Sequence, residues 1–292
     1  MEAVADEGSE SAGTGDRGME IDMKEYGFIG VGNMAGAMIG GMLQSKRADS
    51  SQIIGSCKSA ASRENKEALY HIAMTGDNRE VAKEAGILFL CVKPQFLDGV
   101  IDEIKDVIRP DQLIVSIVAG RSLSYYQKAL FSDVRLIRLM PNTPALVGEG
   151  MTAACASESV SEKEMQTIAD LCGTFGRFEV VPERLFDVVT AVSGSSPAYI
   201  FMLMEAMADA AVLGGMPRAQ AYQFVGQAVL GSAKMMLETG KHPGELKDMV
   251  CSPAGTTIEA VRILEEKGLR SAVIEGTRAC MEKSAIMNAS KS

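Results

Sequence analysis

The stretch that most constrains this chain is Tyr26-Gly27-Phe28-Ile29-Gly30-Val31-Gly32-Asn33-Met34-Ala35-Gly36. An apolar run ends in Gly30-x-Gly32-x-x-Ala35 and passes into the amphipathic segment 34–43. That order reads as strand, tight turn, helix, the dinucleotide-binding fingerprint in its Gly-x-Gly-x-x-Ala form. Gly30 is expected to permit the turn, Gly32 to let the backbone approach a pyrophosphate, and Ala35 to let helix pack close to strand. The helix N-terminus then offers free N–H groups to phosphate. Taken alone, the same pattern describes an ordinary strand–turn–helix with incidental glycines, so the rest of the chain has to carry weight.

Strands are expected at 52–56, 86–92, 113–118, 134–140, 151–156 and 177–181, with a weak one at 72–74. Helices are expected between them at 63–70, 95–108, 122–130 and 162–175. Asp77 or Asn78 caps a further short helix with Glu80 in its first turn. The unbroken apolar runs at 86–92 and 113–118 suit strands covered on both faces of a parallel sheet. Past Pro182-Glu183 no strand pattern remains; segments 185–192, 198–213, 219–239, 244–250, 258–267 and 269–287 read as helices separated by Gly and Pro. Met202, Met204, Met207, Met235 and Met236 are core or interface filler there. The fold class is therefore α/β: an N-terminal Rossmann domain with a doubly wound, mostly parallel sheet (24–182), then an all-helical dimerisation domain (183–292).

Charge narrows the partners. The net charge of −9 argues against nucleic acid as a main partner. No apolar run reads as long enough to span a membrane. The first 24 residues hold seven acids against Arg17 and Lys24, lack aromatics and are rich in Gly and Ser, so residues 1–23 are expected to form a disordered acidic tail. That tail has no apolar h-region, and its acidity is unlike a mitochondrial transit peptide. Six cysteines, none in a C-x-x-C pair, read as reduced and mostly buried, as in a cytoplasmic protein. His71 and His242 are the only histidines, and no Cys/His spacing suits a metal.

An NAD site places an acid about 20 residues past the glycines, on the ribose. Here the second strand ends in Ser56-Cys57-Lys58-Ser59, with Arg63 following and no acid. A 2′-phosphate would find Lys58, Ser59 and Arg63, which favours NADPH over NADH; a solvated basic loop is the plainer alternative. Lys93, before Pro94 at a strand end, is either near the cofactor or simply solvated. In the helical half, Ser252-Pro253-Ala254-Gly255-Thr256-Thr257 opens a helix, and Thr256-x-x-Glu259 fits a capping box. The same hydroxyl-rich loop suits a small carboxylate. Residues 192–199, Val-Ser-Gly-Ser-Ser-Pro-Ala-Tyr, form a second such loop.

Six motifs in this order carry a resemblance: Phe28-Ile29-Gly30-x-Gly32-Asn33-Met34-Ala35, Val92-Lys93-Pro94, Met140-Pro141-Asn142-Thr143-Pro144, the 192–199 loop, His242-Pro243-Gly244-x-Leu246-Lys247-Asp248 and Ser252-Pro253-x-Gly255-Thr256-Thr257-Ile258. From about Lys24 to Met287 the chain resembles the pyrroline-5-carboxylate reductase family, the last enzymes of proline synthesis. The resemblance implies a homo-oligomer, either a dimer or a decamer built from dimers, with the site between one subunit's cofactor domain and helices including the partner's. It implies that Ile29, Gly30, Val31, Gly32, Asn33 and Met34 wrap the pyrophosphate. Ser59 would meet the 2′-phosphate and Asn78 the adenosine ribose. Cys91, Val92, Lys93 and Pro94, with Val118, Ala119 and Gly120, would line the nicotinamide side. Ser252, Gly255 and Thr256 would bind the carboxylate of pyrroline-5-carboxylate, and Thr257 its ring nitrogen, as the single catalytic side chain.

One position departs from the family pattern: Ala254 stands where Gly is usual. If it needs a positive φ, a side chain there costs about 1 kcal/mol. Reduction of another imine or of a β-hydroxy acid (for which Lys247 is the one helical-half lysine that stands out) and a non-catalytic NADPH sensor are the competing readings.

Overall fold

The computed structural model describes residues 24–289, Ala289 by its backbone alone; the acidic tail expected over 1–23 lies outside the described residues. The order is β1 (Lys24–Ile29), α1 (Asn33–Gln44), β2 (Ile53–Ser56), α2 (Ala60–Tyr70), β3 (Ala73–Thr75), α3 (Asn78–Glu84), β4 (Ala85–Leu90), α4 (Leu97–Ile104), β5 (Leu113–Ser116), α5 (Leu123–Ala129), β6 (Leu136–Met140), β7 (Gly150–Ala156), α6 (Glu162–Cys172) and β8 (Gly176–Val180). Helices alone follow: α7 (Phe186–Val189), α8 (Ser196–Leu213), α9 (Arg218–Thr239), α10 (Pro243–Val250), α11 (Thr256–Glu266) and α12 (Leu269–Ala289).

The eight strands form one sheet in the order β3-β2-β1-β4-β5-β6-β7-β8. All neighbours are parallel except β6 and β7, so the sheet is mostly parallel as the apolar runs implied. Side chains of adjacent strand residues point to opposite faces, and the core follows that alternation. Phe28, Ile53, Phe89, Val115 and Ile137 meet α1 and α6 on one face. Ile29, Ile54, Leu90, Ile114 and Leu136 meet α3, α4 and α5 on the other. Phe28 and Phe89 stack across β1 and β4, centroids 4.5 Å apart. The strand order reverses between β1 and β4, which puts a crevice at the carboxyl ends of these strands.

The helical half buries little of its own surface. Its buried apolar cluster is Ala208, Ala221 and Val225, while Phe201, Met202, Leu213 and Phe224 are exposed. The membrane reading needs correction. The helical stretch Glu183–Leu213 is long and apolar enough to cross a membrane by length and composition alone. The sequence breaks that stretch at Gly194 and Pro197, but a π turn over Thr190–Gly194, closed by the Ser195 N–H donating to the Thr190 carbonyl (2.8 Å), carries the chain through. Pro197 then sits in the first turn of α8, where its missing N–H costs nothing.

Candidate active site

β1 delivers the chain into a turn that needs glycine. Gly30 has φ +89°, and a Cβ there would stand 2.8 Å from Val92 Cγ1. The N–H groups of Gly30 and Val31 both donate to the Ser56 carbonyl (3.1 and 3.0 Å), which ties the turn to the end of β2. Gly32 is the N-cap of α1 and provides no side-chain cap. No atom lies within 4 Å of where its Cβ would point. The Gly32 N–H is taken by the Gly30 carbonyl (2.8 Å), and the first turn of α1 carries no acid, so the N–H groups of Asn33 and Met34 at the head of α1 are the ones left to meet an anion. That cradle fits a pyrophosphate. Ile29 and Val31 have buried side chains and take part through backbone; the Val31 carbonyl accepts from the Cys57 thiol (3.3 Å).

The residues expected beside the nicotinamide sit together. Cys91–Pro94 follows β4 and Val118–Gly120 follows β5, and these strands pair up to Leu90 and Ser116. Burial pushes the Cys91 thiol well above its ordinary value, so it stays neutral. Lys93 is exposed and precedes the 3-10 turn Pro94–Phe96. Gly120 takes φ +74°. Arg121, 2% exposed, holds this corner: its guanidinium donates to Asp98 (3.0 and 3.2 Å) and stacks on Tyr125, 4.7 Å from the ring centre. Sequence reading assigned Arg121 no role, because its partner lies 23 residues away.

On the adenosine side, Ser59 is the N-cap of α2, its hydroxyl accepting from the Ser62 N–H (3.4 Å). Arg63 turns back to the carbonyls of Cys57 and Lys58 (both 2.9 Å), closing the β2–α2 turn. Asn78 heads α3, capped by Asp77. Its Oδ1 accepts from the Ser56 hydroxyl (2.7 Å) and its Nδ2 donates to Glu103 (2.6 Å).

In the helical half, the Gly255 N–H donates to the Ser252 carbonyl (3.1 Å). Pro253 is second in that turn and Ala254 third, with φ +57°, which is a type II turn. A Cβ on Gly255 would stand 2.3 Å from the Ser252 hydroxyl oxygen, so a side chain there would push that hydroxyl out of its place. The capping box is overturned. Gly255, not Thr256, is the N-cap of α11, and no side chain caps it. Glu259 instead binds Arg262 (2.8 to 3.2 Å), which holds its carboxyl below the ordinary value. The first N–H groups of α11 are thereby left open to an anion, with Ser252, Thr256 and Thr257 around them. The hydrogen bonds of this loop stay within its own segment; among the described residues none reaches the turns after β1, β4 and β5.

Structure adds links that sequence reading missed. Asn142 donates to the Ser193 carbonyl and hydroxyl (3.3 Å each) and accepts from the Met151 N–H (2.8 Å), joining two quoted motifs. Asp187 accepts from Ser284 (2.6 Å) and Asn288 (2.5 Å). Asn288 Oδ1 lies 3.6 Å from where a Gly120 Cβ would be, so the end of α12 backs the Val118–Gly120 loop. A lone acid in the apolar segment 185–192 was the available signal for Asp187. All six cysteines are free; Cys155 and Cys172 are buried and the other four partly so.

Comparison with known proteins places this geometry. A family model described as pyrroline-5-carboxylate reductase dimerisation matches residues 183–287. One described as NADP oxidoreductase coenzyme F420-dependent matches residues 25–120. A pyrroline-5-carboxylate reductase of Escherichia coli (strain K12) is 51% identical over 261 residues, covering 89% of this chain and 97% of that protein. The structure of a pyrroline-5-carboxylate reductase from Coxiella burnetii superposes with a TM-score of 0.84 at 32% identity, over 91% of this chain and 98% of that one. The Plasmodium falciparum pyrroline carboxylate reductase with NADP bound gives 0.83 at 27% identity, over 92% and 99%.

Proposed function

The chain belongs to the pyrroline-5-carboxylate reductase family, and from that premise we propose how its residues divide the work of reducing pyrroline-5-carboxylate to L-proline. It is an NAD(P)H-dependent oxidoreductase acting on a C=N bond. The bound cofactor supplies the hydride. The observation that carries the assignment is the pair of uncapped helix N-termini. That of α1 faces open space behind Gly32, and that of α11 stands behind the Ser252–Gly255 turn. One suits a pyrophosphate and the other a carboxylate.

The substrate is a cyclic imine whose carbon accepts hydride, more readily when the nitrogen is protonated. Ser252 and the Thr256 N–H at the head of α11 hold the carboxylate against Gly255, whose own N–H is taken by the Ser252 carbonyl, fixing one end of the ring. Thr257, one residue further along the first turn of α11, directs its hydroxyl to the ring nitrogen as that atom becomes an amine. Such anchoring supplies orientation, a large part of catalysis when no covalent step is needed. Cys91 has its thiol held neutral, and no acid or histidine belongs to the Ser252–Thr257 loop, so the proton comes from solvent or the protonated substrate.

We divide the chain into a cofactor domain (24–182) and a helical dimerisation and substrate-binding domain (183–292). The bonds of the substrate loop stay within one segment, and the helical half leaves its apolar faces open. Both observations support a homodimer whose sites take residues from two subunits, with a decamer built from five such dimers as the larger assembly. The six free cysteines support a cytoplasmic location. NADPH is the preferred reductant, through Ser59 and Lys58, and Asn78 holds the adenosine ribose. The test is to follow NADPH and NADH oxidation separately on adding pyrroline-5-carboxylate. Fast NADPH oxidation is expected; faster NADH oxidation would keep the reaction and remove the Ser59/Lys58 argument, and no turnover with either would remove the substrate assignment.

A further inference from the structure

Two exposed side chains stand over the crevice, Lys58 assigned above only through its charge and Phe96 not at all. Lys58 follows β2, and Phe96 ends the 3-10 turn after β4. Since β2 and β4 flank β1 on either side, their loops face one another across the Gly30–Gly32 turn. The side chains meet there: Lys58 Nζ is 5.5 Å from the centre of the Phe96 ring. Phe96 is 51% exposed although its neighbour Leu97 is fully buried. At the adjoining strand end is the head of α3, where Asn78 is fixed by Ser56 and Glu103. A half-exposed aromatic ring with a flexible cation over it, at the rim of a nucleotide crevice, is a surface ready to exchange partners. A solvated cation–π contact is weak, and any nucleobase offers a π-face that stacks on such a ring.

We propose that Phe96 is the platform for the adenine of the cofactor, and that Lys58 leaves the ring for the 2′-phosphate as the base arrives. The inference rests on the NADPH assignment above and goes beyond it. It makes stacking and phosphate recognition one exchange: a dinucleotide without the 2′-phosphate gives Lys58 nothing to move to, so the lysine competes with adenine for the ring. Discrimination against NADH then has two sources, a missing attraction and a retained competitor.

The experiment is calorimetric titration of the full-length protein and its variants with three probes: NADPH, 2′-phospho-ADP-ribose, and reduced nicotinamide mononucleotide. Phe96→Ala is expected to weaken NADPH and 2′-phospho-ADP-ribose by about tenfold and to leave reduced nicotinamide mononucleotide unchanged, with Phe96→Tyr restoring affinity. Lys58→Ala is expected to weaken NADPH while tightening NADH. Unchanged binding of 2′-phospho-ADP-ribose in Phe96→Ala, or equal loss of all three probes, would overturn the platform. Equal weakening of NADPH and NADH in Lys58→Ala would overturn the exchange. Failure of the wild-type protein to bind NADPH at all would overturn the cofactor assignment itself, an outcome separate from the others.

Discussion

Phe28, Ile29, Leu88, Phe89 and Leu90 are fully buried within one chain, whereas Phe201, Met202, Leu213 and Phe224 in the helical half stand largely in solvent, Leu213 at 91%. The difference is not one of hydrophobicity. A strand buried on both faces is served by helices of its own chain, α1 and α6 on one side and α3, α4 and α5 on the other. The helices α8 to α12 have no sheet to lie on, and α8 and α9 bury only small residues against each other. So much contiguous apolar surface belongs to an interface. In the proposed dimer one chain completes the nucleotide cradle, and the Ser252–Thr257 loop takes its facing residues from a second.

That contrast can be broken most severely at α8. Phe201→Glu with Met202→Glu is expected to raise the dimer dissociation constant by more than about 10³-fold, since burying unpaired carboxylates is so costly; sedimentation equilibrium measures it, and turnover should fall with the dimer. In the sheet, Phe28→Ala should cost about 3–5 kcal/mol of stability. Its denaturation midpoint should shift by the same amount at every protein concentration, unlike any change at α8. Thr257→Ala should lower turnover by roughly 10²-fold with cofactor affinity intact, as steady-state kinetics would show; full activity would remove Thr257 from the mechanism. Ala254→Gly should stabilise the protein by about 1 kcal/mol, because Ala occupies a left-handed position there, and calorimetric melting tests it. A lower KM for substrate in the same variant would show that the strained turn also limits binding. The smallest effect is none: with its thiol raised by burial, Cys91 should add no step to the pH profile between about pH 6 and 9, and a limb that vanished in Cys91→Ser would contradict this.

The sheet half was legible because its rules are local. Paired runs of apolar residues announced strands covered on both faces, and Gly30 sits at a φ that other residues avoid. The turn at Ser252 was half legible: Pro253 before Ala254 fits a type II turn, whose third position wants glycine. The cap of α11 was misread because the Thr256-x-x-Glu259 pattern is satisfied on paper by a register one residue too late. The Ser252–Gly255 bond places the cap at Gly255, and Arg262 draws Glu259 away. The α7–α8 stretch was misjudged since Gly and Pro signal a break that a π turn avoids. Ties such as Asn142 to Ser193 and Asn288 to Asp187 join residues 51 and 101 apart, and nothing in the spacing marks them.

The order of the two halves along the chain has a consequence during synthesis. Domains fold as they emerge, at about 5–20 residues per second. The self-sufficient sheet is translated first and can close before the helices exist. The helices follow, and their uncovered faces are exposed only for the interval needed to meet another nascent or finished copy. Had the order been reversed, the apolar helices would have waited beside the ribosome while the sheet was still being made.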